Sequence, residues 1–215
     1  MKKEIKRFIP AIGFLIAFVV WTVLVCLIDL QAIGPQGSVV GFAGINGAFH
    51  KFTGVHMAIY DLTDLLSIIP LAIVAAFGLL GVAQWIKGKS LKAVDYDIWV
   101  LGGFYVVVMA VFLLFEKLDV NFRPILIEGV LEASYPSSTT MLAMCVLPTT
   151  MLQLNSRLKN RGLRICVLVV LGLFTAFMVI GRLVSGVHWL TDIIGGALFS
   201  TGLLLLYNAF VRLKK

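Results

Sequence analysis

The chain of 215 residues is 60% hydrophobic, only 13% charged and carries a formal net charge of +7, with a mean hydropathy of +1.01. That composition excludes a soluble globular domain and a disordered chain and places the protein in a bilayer. The basic excess sits largely in short connections, where it reads as a topology signal with some attraction to anionic lipid heads, so nucleic acid binding is not implied.

A helix that crosses about 30 Å of hydrocarbon needs roughly 20 mostly apolar residues. The first such run, 8–29, follows the basic segment MKKEIKR. It is long for a signal-peptide core and no small-residue cleavage pattern follows Asp29, so it is read as a retained helix. A long connection, 31–62, comes next, in which Ile45, Phe49 and Phe52 recur at helical spacing. This predicts a helix lying on the bilayer interface. His50 and His56 in that connection are either ordinary interfacial residues or part of a lid that guides a lipid head group. Further apolar runs follow at 63–86, 96–115, 163–181 and 189–210, and a shorter, more polar one at 136–154 contains Pro148. The last is expected inside the bundle, where neighbours satisfy the backbone groups that proline frees. The expected fold is an all-α membrane protein: six transmembrane helices in one domain, 1–215, without internal repeats.

The basic residues give the orientation. Lys2, Lys3, Lys6 and Arg7 precede the first run, Lys87, Lys89 and Lys92 join the second to the third, Arg157, Lys159, Arg161 and Arg164 join the fourth to the fifth, and Arg212, Lys214 and Lys215 follow the sixth. Six crossings put all four groups on one side, so both termini are expected to be cytoplasmic. Of the 18 basic residues, only Lys51, Lys117, Arg123 and Arg182 are left for the outer face, and the orientation rule gives no reason for them.

Three of these four fall in polar segments on that outer face: EKLDVNFRP with Lys117 and Arg123, SYPSSTT at the start of the fourth run, and GRLVSGVHWLTD with Arg182, His188 and Asp192. His188 and Asp192 are four apart and share a helix face. The carboxylate there holds one imidazole nitrogen and leaves the other free as a base or nucleophile. Two guanidinium forks and an ammonium beside a histidine make a phosphoryl site, since they match phosphate oxygens and neutralise transition-state charge. Hydroxyls and first-turn N–H groups at Ser137, Ser138 and Thr139 add neutral donors. Taken singly, each has a structural alternative: Arg182 as an interfacial anchor, His188–Asp192 as an i, i+4 pair, and Ser134 or Ser137 as a helix cap.

Together these segments resemble the type 2 phosphatidic acid phosphatases, the PAP2 family, over roughly 117–196. That family's pattern is Lys, six residues, Arg-Pro; then Pro-Ser-Gly-His; then Ser-Arg, five residues, His, three residues, Asp. The resemblance implies a PAP2-like bundle, a phosphohistidine formed on His188, Asp192 orienting it, and phosphate binding by Arg182, Arg123 and Lys117 with Ser137, Ser138 and Thr139. Three positions depart from the pattern. Gly181 stands for the leading Ser, Lys117 is one residue nearer to Arg123 than usual, and Thr139 replaces the histidine that protonates the leaving oxygen.

A threonine hydroxyl is a poor proton source. A phosphate leaving from a diphosphate needs a proton less than an alkoxide does, so Thr139 points to a polyprenyl diphosphate such as undecaprenyl diphosphate. The alternatives are phosphatidic acid or phosphatidylglycerol phosphate with the acid supplied by Glu132, Glu128, His50 or His56, a lipid phosphotransferase, a catalytically weak relative, and a small lipid transporter. The expected location is the cell membrane, with the site on the extracytoplasmic face. The partners are a lipid phosphate or diphosphate and membrane lipids, and a homo-oligomer is compatible with such a bundle. Three scattered histidines and Cys26, Cys145 and Cys166 have no metal-ligand spacing, so neither metal nor cofactor is expected. Gly195 and Gly196 are read as a close-packing point between helices.

Overall fold

The computed structural model describes residues 5–214; Lys2, Lys3 and Lys215 of the topology signal lie outside the described residues. The helices are α1 (Ile9–Leu27), α2 (Ala43–Thr53), α3 (Met57–Leu66), α4 (Ile68–Gly88), α5 (Tyr96–Phe115), α6 (Ser138–Arg157), α7 (Arg161–Val184) and α8 (Leu190–Val211). Among the described residues five segments are long and apolar enough to cross a membrane: α1, α3 with α4, α5, α7 and α8 with its last turn.

The central helix is α6, the most polar of the long ones. It packs on α7 and α8, while α8 also takes α1 along its length. Several of its polar side chains find hydrogen-bond partners inside the bundle, while the Thr140 hydroxyl is buried without one. Thr149 donates to the Cys145 carbonyl at 2.7 Å, Thr150 to the Val146 carbonyl at 2.7 Å, and Gln153 to the Tyr207 hydroxyl at 2.5 Å. The two threonines bond within their own helix, but on a lipid-facing side the Gln153 amide would lose its α8 partner in hydrocarbon at several kcal/mol, roughly. This is why the run around Pro148 is interior, as its composition implies. Phe18 and Val25 of α1, Leu101 and Phe104 of α5, Met141 and Cys145 of α6, and Phe199, Leu203 and Tyr207 of α8 form the main apolar core.

At the end of the bundle away from the phosphoryl motifs, Arg157 pairs with Asp95 at 3.0 Å and Asp97 at 3.1 Å, and the Lys214 ammonium lies over the Tyr96 ring. The motif-bearing connections gather at the other end. In the 31–62 connection α2 forms where the spacing of Ile45, Phe49 and Phe52 predicts a helix, with Ile45 and Phe52 exposed. The next helix begins at Met57, six residues before the predicted start, and bends at Ser67 into α4. The apolar run alone marks only the lipid-embedded part. The first turns of α3 are stabilised by tertiary contact, the His56 N–H donating to the Ser185 carbonyl at 2.9 Å.

Three glycines permit the close packing around this end. A Cβ on Gly195 would sit 2.7 Å from the Tyr135 ring, and one on Gly181 would sit 2.7 Å from Thr63 Cγ2. Gly186 has φ +71 and faces the Gly54 carbonyl with no room for a side chain, whereas Gly129 has φ +80 in open space. Both would pay about 1–2 kcal/mol for an L side chain at positive φ, but only position 186 adds overpacking of about 1–3 kcal/mol. Gly186→Ala is therefore expected to lower the thermal midpoint in detergent clearly more than Gly129→Ala; equal shifts would mean that the Gly54–Gly186 contact is not tight.

Candidate active site

The corner between α7 and α8 carries the third motif. Asp192, in the first turn of α8, has no exposed surface. One carboxylate oxygen accepts the Trp189 N–H at 3.0 Å and the other the Asn121 side-chain amide at 3.3 Å. Asn121 also accepts the Gly41 N–H at 3.2 Å, while Asn46 of α2 donates to the Thr191 hydroxyl at 2.9 Å and accepts the Thr191 N–H at 3.2 Å. A buried amide and hydroxyl network thus joins the connection before α2, α2 itself, the 116–137 connection and α8 around one carboxylate.

His188 is 4% exposed, with Nδ1 3.6 Å from Asp192 Oδ2, a charge contact longer than a hydrogen bond. Its Nε2 lies 3.4 Å from Arg123 Nη1. A guanidinium only donates, so Nε2 is the unprotonated nitrogen and Nδ1 carries the hydrogen towards Asp192. Burial pushes the imidazole down to about 4, against the upward pull of Asp192 and helped by the charge of Arg123. The shift below the ordinary 6.5 favours the neutral ring at pH 7, the form a nucleophile requires, with the Nε2 lone pair turned to Arg123.

Arg182, 2% exposed, is the deepest cation. Its Nη2 donates at 2.6 Å to both Thr139 Oγ1 and Asp64 Oδ1, while Nε and Nη1 are buried without a hydrogen-bond partner. Arg123 comes from the 116–137 connection, where its N–H pairs with the Glu132 carbonyl at 2.9 Å and its Nε lies 2.8 Å from Glu132 Oε2. The two guanidinium groups share one aromatic ring: Arg182 is 4.6 Å and Arg123 5.8 Å from the Tyr60 centroid. Cation–π contact with one ring holds the like charges side by side.

The remaining motif residues divide. Ser137 caps α6, its hydroxyl accepting the Thr140 N–H at 3.4 Å, and its own N–H donates to the Asp192 carbonyl at 3.2 Å. Lys117 is exposed on the rim of a cleft of about 500 Å³ that Arg123, Glu132, Ser138 and His188 also line. Ser138 borders as well a second, apolar cavity of about 370 Å³, which opens at Asp64 and Thr139 and runs between α4, α5 and α6 past Leu71, Val74 and Val146. Of the other acids considered, Glu132 is paired with Arg123 and Glu128 sits at the exposed tip of the connection. His50 Nε2 lies 3.1 Å from the Gly186 carbonyl with its ring against Trp189, and His56 Nε2 is 2.8 Å from the Thr53 carbonyl.

Asp64, Tyr60 and Asn121 were not among the expected site residues. Tyr60 and Asp64 repeat the i, i+4 spacing of His188 and Asp192, and Asp64 is a charge inside an apolar run, which in a membrane helix is itself a pointer to function. Asn121 has no local signal.

The bundle is thus a helical membrane protein whose two arginines and neutral histidine form a site suited to a phosphoryl group. The PAP2 superfamily profile matches residues 103–215, more than half of the chain and all three motifs. The chain belongs to that superfamily and is an enzyme of the phosphoric-ester hydrolase class. The crystal structure of the first transmembrane PAP2 type phosphatidylglycerolphosphate phosphatase from Bacillus subtilis is similar in fold, with a TM-score of 0.61 and 20% sequence identity, covering 95% of this chain and 97% of that chain. Comparison with curated protein sequences gives no match.

The His188 environment can be tested directly. With His50→Gln and His56→Gln leaving one imidazole, its NMR titration in detergent is expected near pH 4; a midpoint near 6.5 would mean a solvated ring.

Proposed function

We propose that this chain is an integral-membrane lipid phosphatase that releases the terminal phosphate of a lipid phosphate or diphosphate through a phosphohistidine on His188. The observation that carries this reading is the buried His188, whose Nε2 lies 3.4 Å from Arg123 Nη1, beside an Arg182 with two unpartnered guanidinium nitrogens. In this reading Asp192 holds the Nδ1–H tautomer, and Arg123 and Arg182 take the phosphoryl oxygens and offset the charge that builds as the group transfers. Lys117 attracts the anionic head at the rim, the hydroxyls of Ser138 and Thr139 add donors, and Ser137 holds the start of α6 in place. The apolar cavity beside Thr139 suits the lipid chain.

The same reading takes α6 as a sixth crossing. It sets both termini in the cytoplasm and the site on the extracytoplasmic face of the cell membrane. Support comes from the separation of the Arg157 and Lys214 end from the motif end and from the basic bias of the connections.

Two substrate readings meet at position 139. Thr139 as the sole group there favours a leaving group that needs no proton, hence a polyprenyl diphosphate. The Asp64 carboxylate on the same Arg182 nitrogen favours a monoester such as phosphatidylglycerol phosphate, the substrate named for the Bacillus subtilis protein.

The test is phosphate release by the detergent-solubilised protein from undecaprenyl diphosphate, phosphatidylglycerol phosphate and phosphatidic acid. His188→Ala is expected to abolish release from every one, and Arg182→Ala to lower it by about 10²–10³-fold, the usual loss for one transition-state donor. Residual phosphate release by His188→Ala at the native rate would remove the nucleophile assignment.

A further inference from the structure

Phosphoryl transfer runs with the attacking and leaving atoms roughly in line, so the leaving oxygen needs its proton on the side away from His188. His188 borders the polar cleft, whereas Thr139 and Asp64 border the apolar cavity, and Ser138 lines both. Arg123 lies with the histidine at the cleft, and Arg182 is paired with Asp64 at the cavity, so a phosphoryl group spanning the two arginines would meet His188 at one guanidinium and Asp64 at the other. The Asp64 side chain is 59% exposed, while Thr139 beside it is buried.

We propose that Asp64 is the proton donor to the leaving oxygen, a fourth element of the site supplied by α3. This rests on the reading of His188 as nucleophile. Asp64 lies outside residues 103–215, the part that the superfamily profile matches. Its approach depends on a departure from the family motif. Gly181 stands where Ser precedes the arginine, and a Cβ there would sit 2.7 Å from Thr63 Cγ2, so α3 reaches Arg182 because position 181 has no side chain. Two of the three departures, Gly181 and Thr139, thus flank the place where the carboxyl enters. The charged and titratable groups facing Asp64 are Arg182 from α7 and Tyr60 from its own helix, with Arg123 beyond the Tyr60 ring.

A substrate phosphoryl group that takes over the Arg182 guanidinium leaves the Asp64 carboxyl facing phosphate oxygens, and two oxyanions within hydrogen-bond reach share one proton. The lone pair of His188 Nε2 then forms the N–P bond as the P–O bond to the lipid breaks, and the carboxyl proton passes to the leaving oxygen. In the second half, the Asp64 carboxylate takes a proton from the water that attacks phosphorus, and the N–P bond breaks to return neutral His188 and free phosphate. Each turnover consumes one water and restores both side chains.

The proposal is tested by leaving group. Asp64→Asn in the full-length, detergent-solubilised protein is expected to lower kcat on phosphatidic acid, an alkyl phosphate, by about 10²–10³-fold, the usual contribution of a general acid. On p-nitrophenyl phosphate and farnesyl diphosphate, whose leaving groups need little help, the loss is expected to stay below about tenfold. Vanadate inhibition should hold or tighten, since Arg182 loses a competing carboxylate, and Thr139→His in the Asp64→Asn background should recover at least about tenfold on phosphatidic acid. Asp64→Glu should keep more alkyl activity than Asp64→Asn. Equal losses on all three substrates with weaker vanadate inhibition would make Asp64 a mere support for Arg182 and overturn the proposal, as would full activity of Asp64→Asn on phosphatidic acid. A native protein inert towards all three and indifferent to vanadate would overturn the phosphatase reading, and this proposal with it.

Discussion

A carboxylate with no exposed surface, Asp192, sits in the first turn of α8, and much of the site end is arranged to keep it satisfied. An unpaired buried charge costs several kcal/mol or more, and at the edge of a bilayer there is little water to relieve it. Trp189 N–H and the Asn121 amide supply its hydrogen bonds. Asn121 in turn fixes Gly41 and Ser134, and Thr191 fixes Asn46. Segments far apart in the chain are thus drawn to one point, and His188 Nδ1 lies 3.6 Å from that same carboxylate.

The second constraint is cationic. Arg182 and Arg123 lie close enough to share the Tyr60 ring, an arrangement that repels itself unless anions or aromatic faces compensate. Tyr60 and Asp64 do so from α3, Glu132 from the 116–137 connection, and Thr139 from α6. A bound phosphoryl group would take over part of that compensation. The cations are thus held by groups that a substrate anion can displace, which keeps the arginines in place before the substrate arrives.

The hydrophobic runs and the basic connections are readable because membrane insertion depends on local composition. The interior position of α6 is readable for the same reason: a polar, proline-containing run has no stable lipid-facing place. The start of α3 is not readable, because its first turns are held by Ser185 and by the Gly54–Gly186 contact rather than by their own apolar pattern. Ser137 shows a third case: the hydroxyl cluster marks the helix start, where the Ser137 hydroxyl accepts the Thr140 N–H as a cap and keeps its own O–H as a donor.

By itself the sequence determined that this is a bilayer protein with a histidine, a carboxylate and two arginines in phosphoryl-type spacing, since hydropathy and i, i+4 neighbours are properties of short stretches. Only the tertiary structure decided that Asp64 lies on Arg182, 118 positions away in the chain, that both arginines lie against the Tyr60 ring, and that Asn121 holds Asp192. The Asp64 and Tyr60 contacts arise where Gly181 and Gly186 let α3 close on the α7–α8 corner. The steric fit of three separate helices that produces this closure is written in no single stretch of residues.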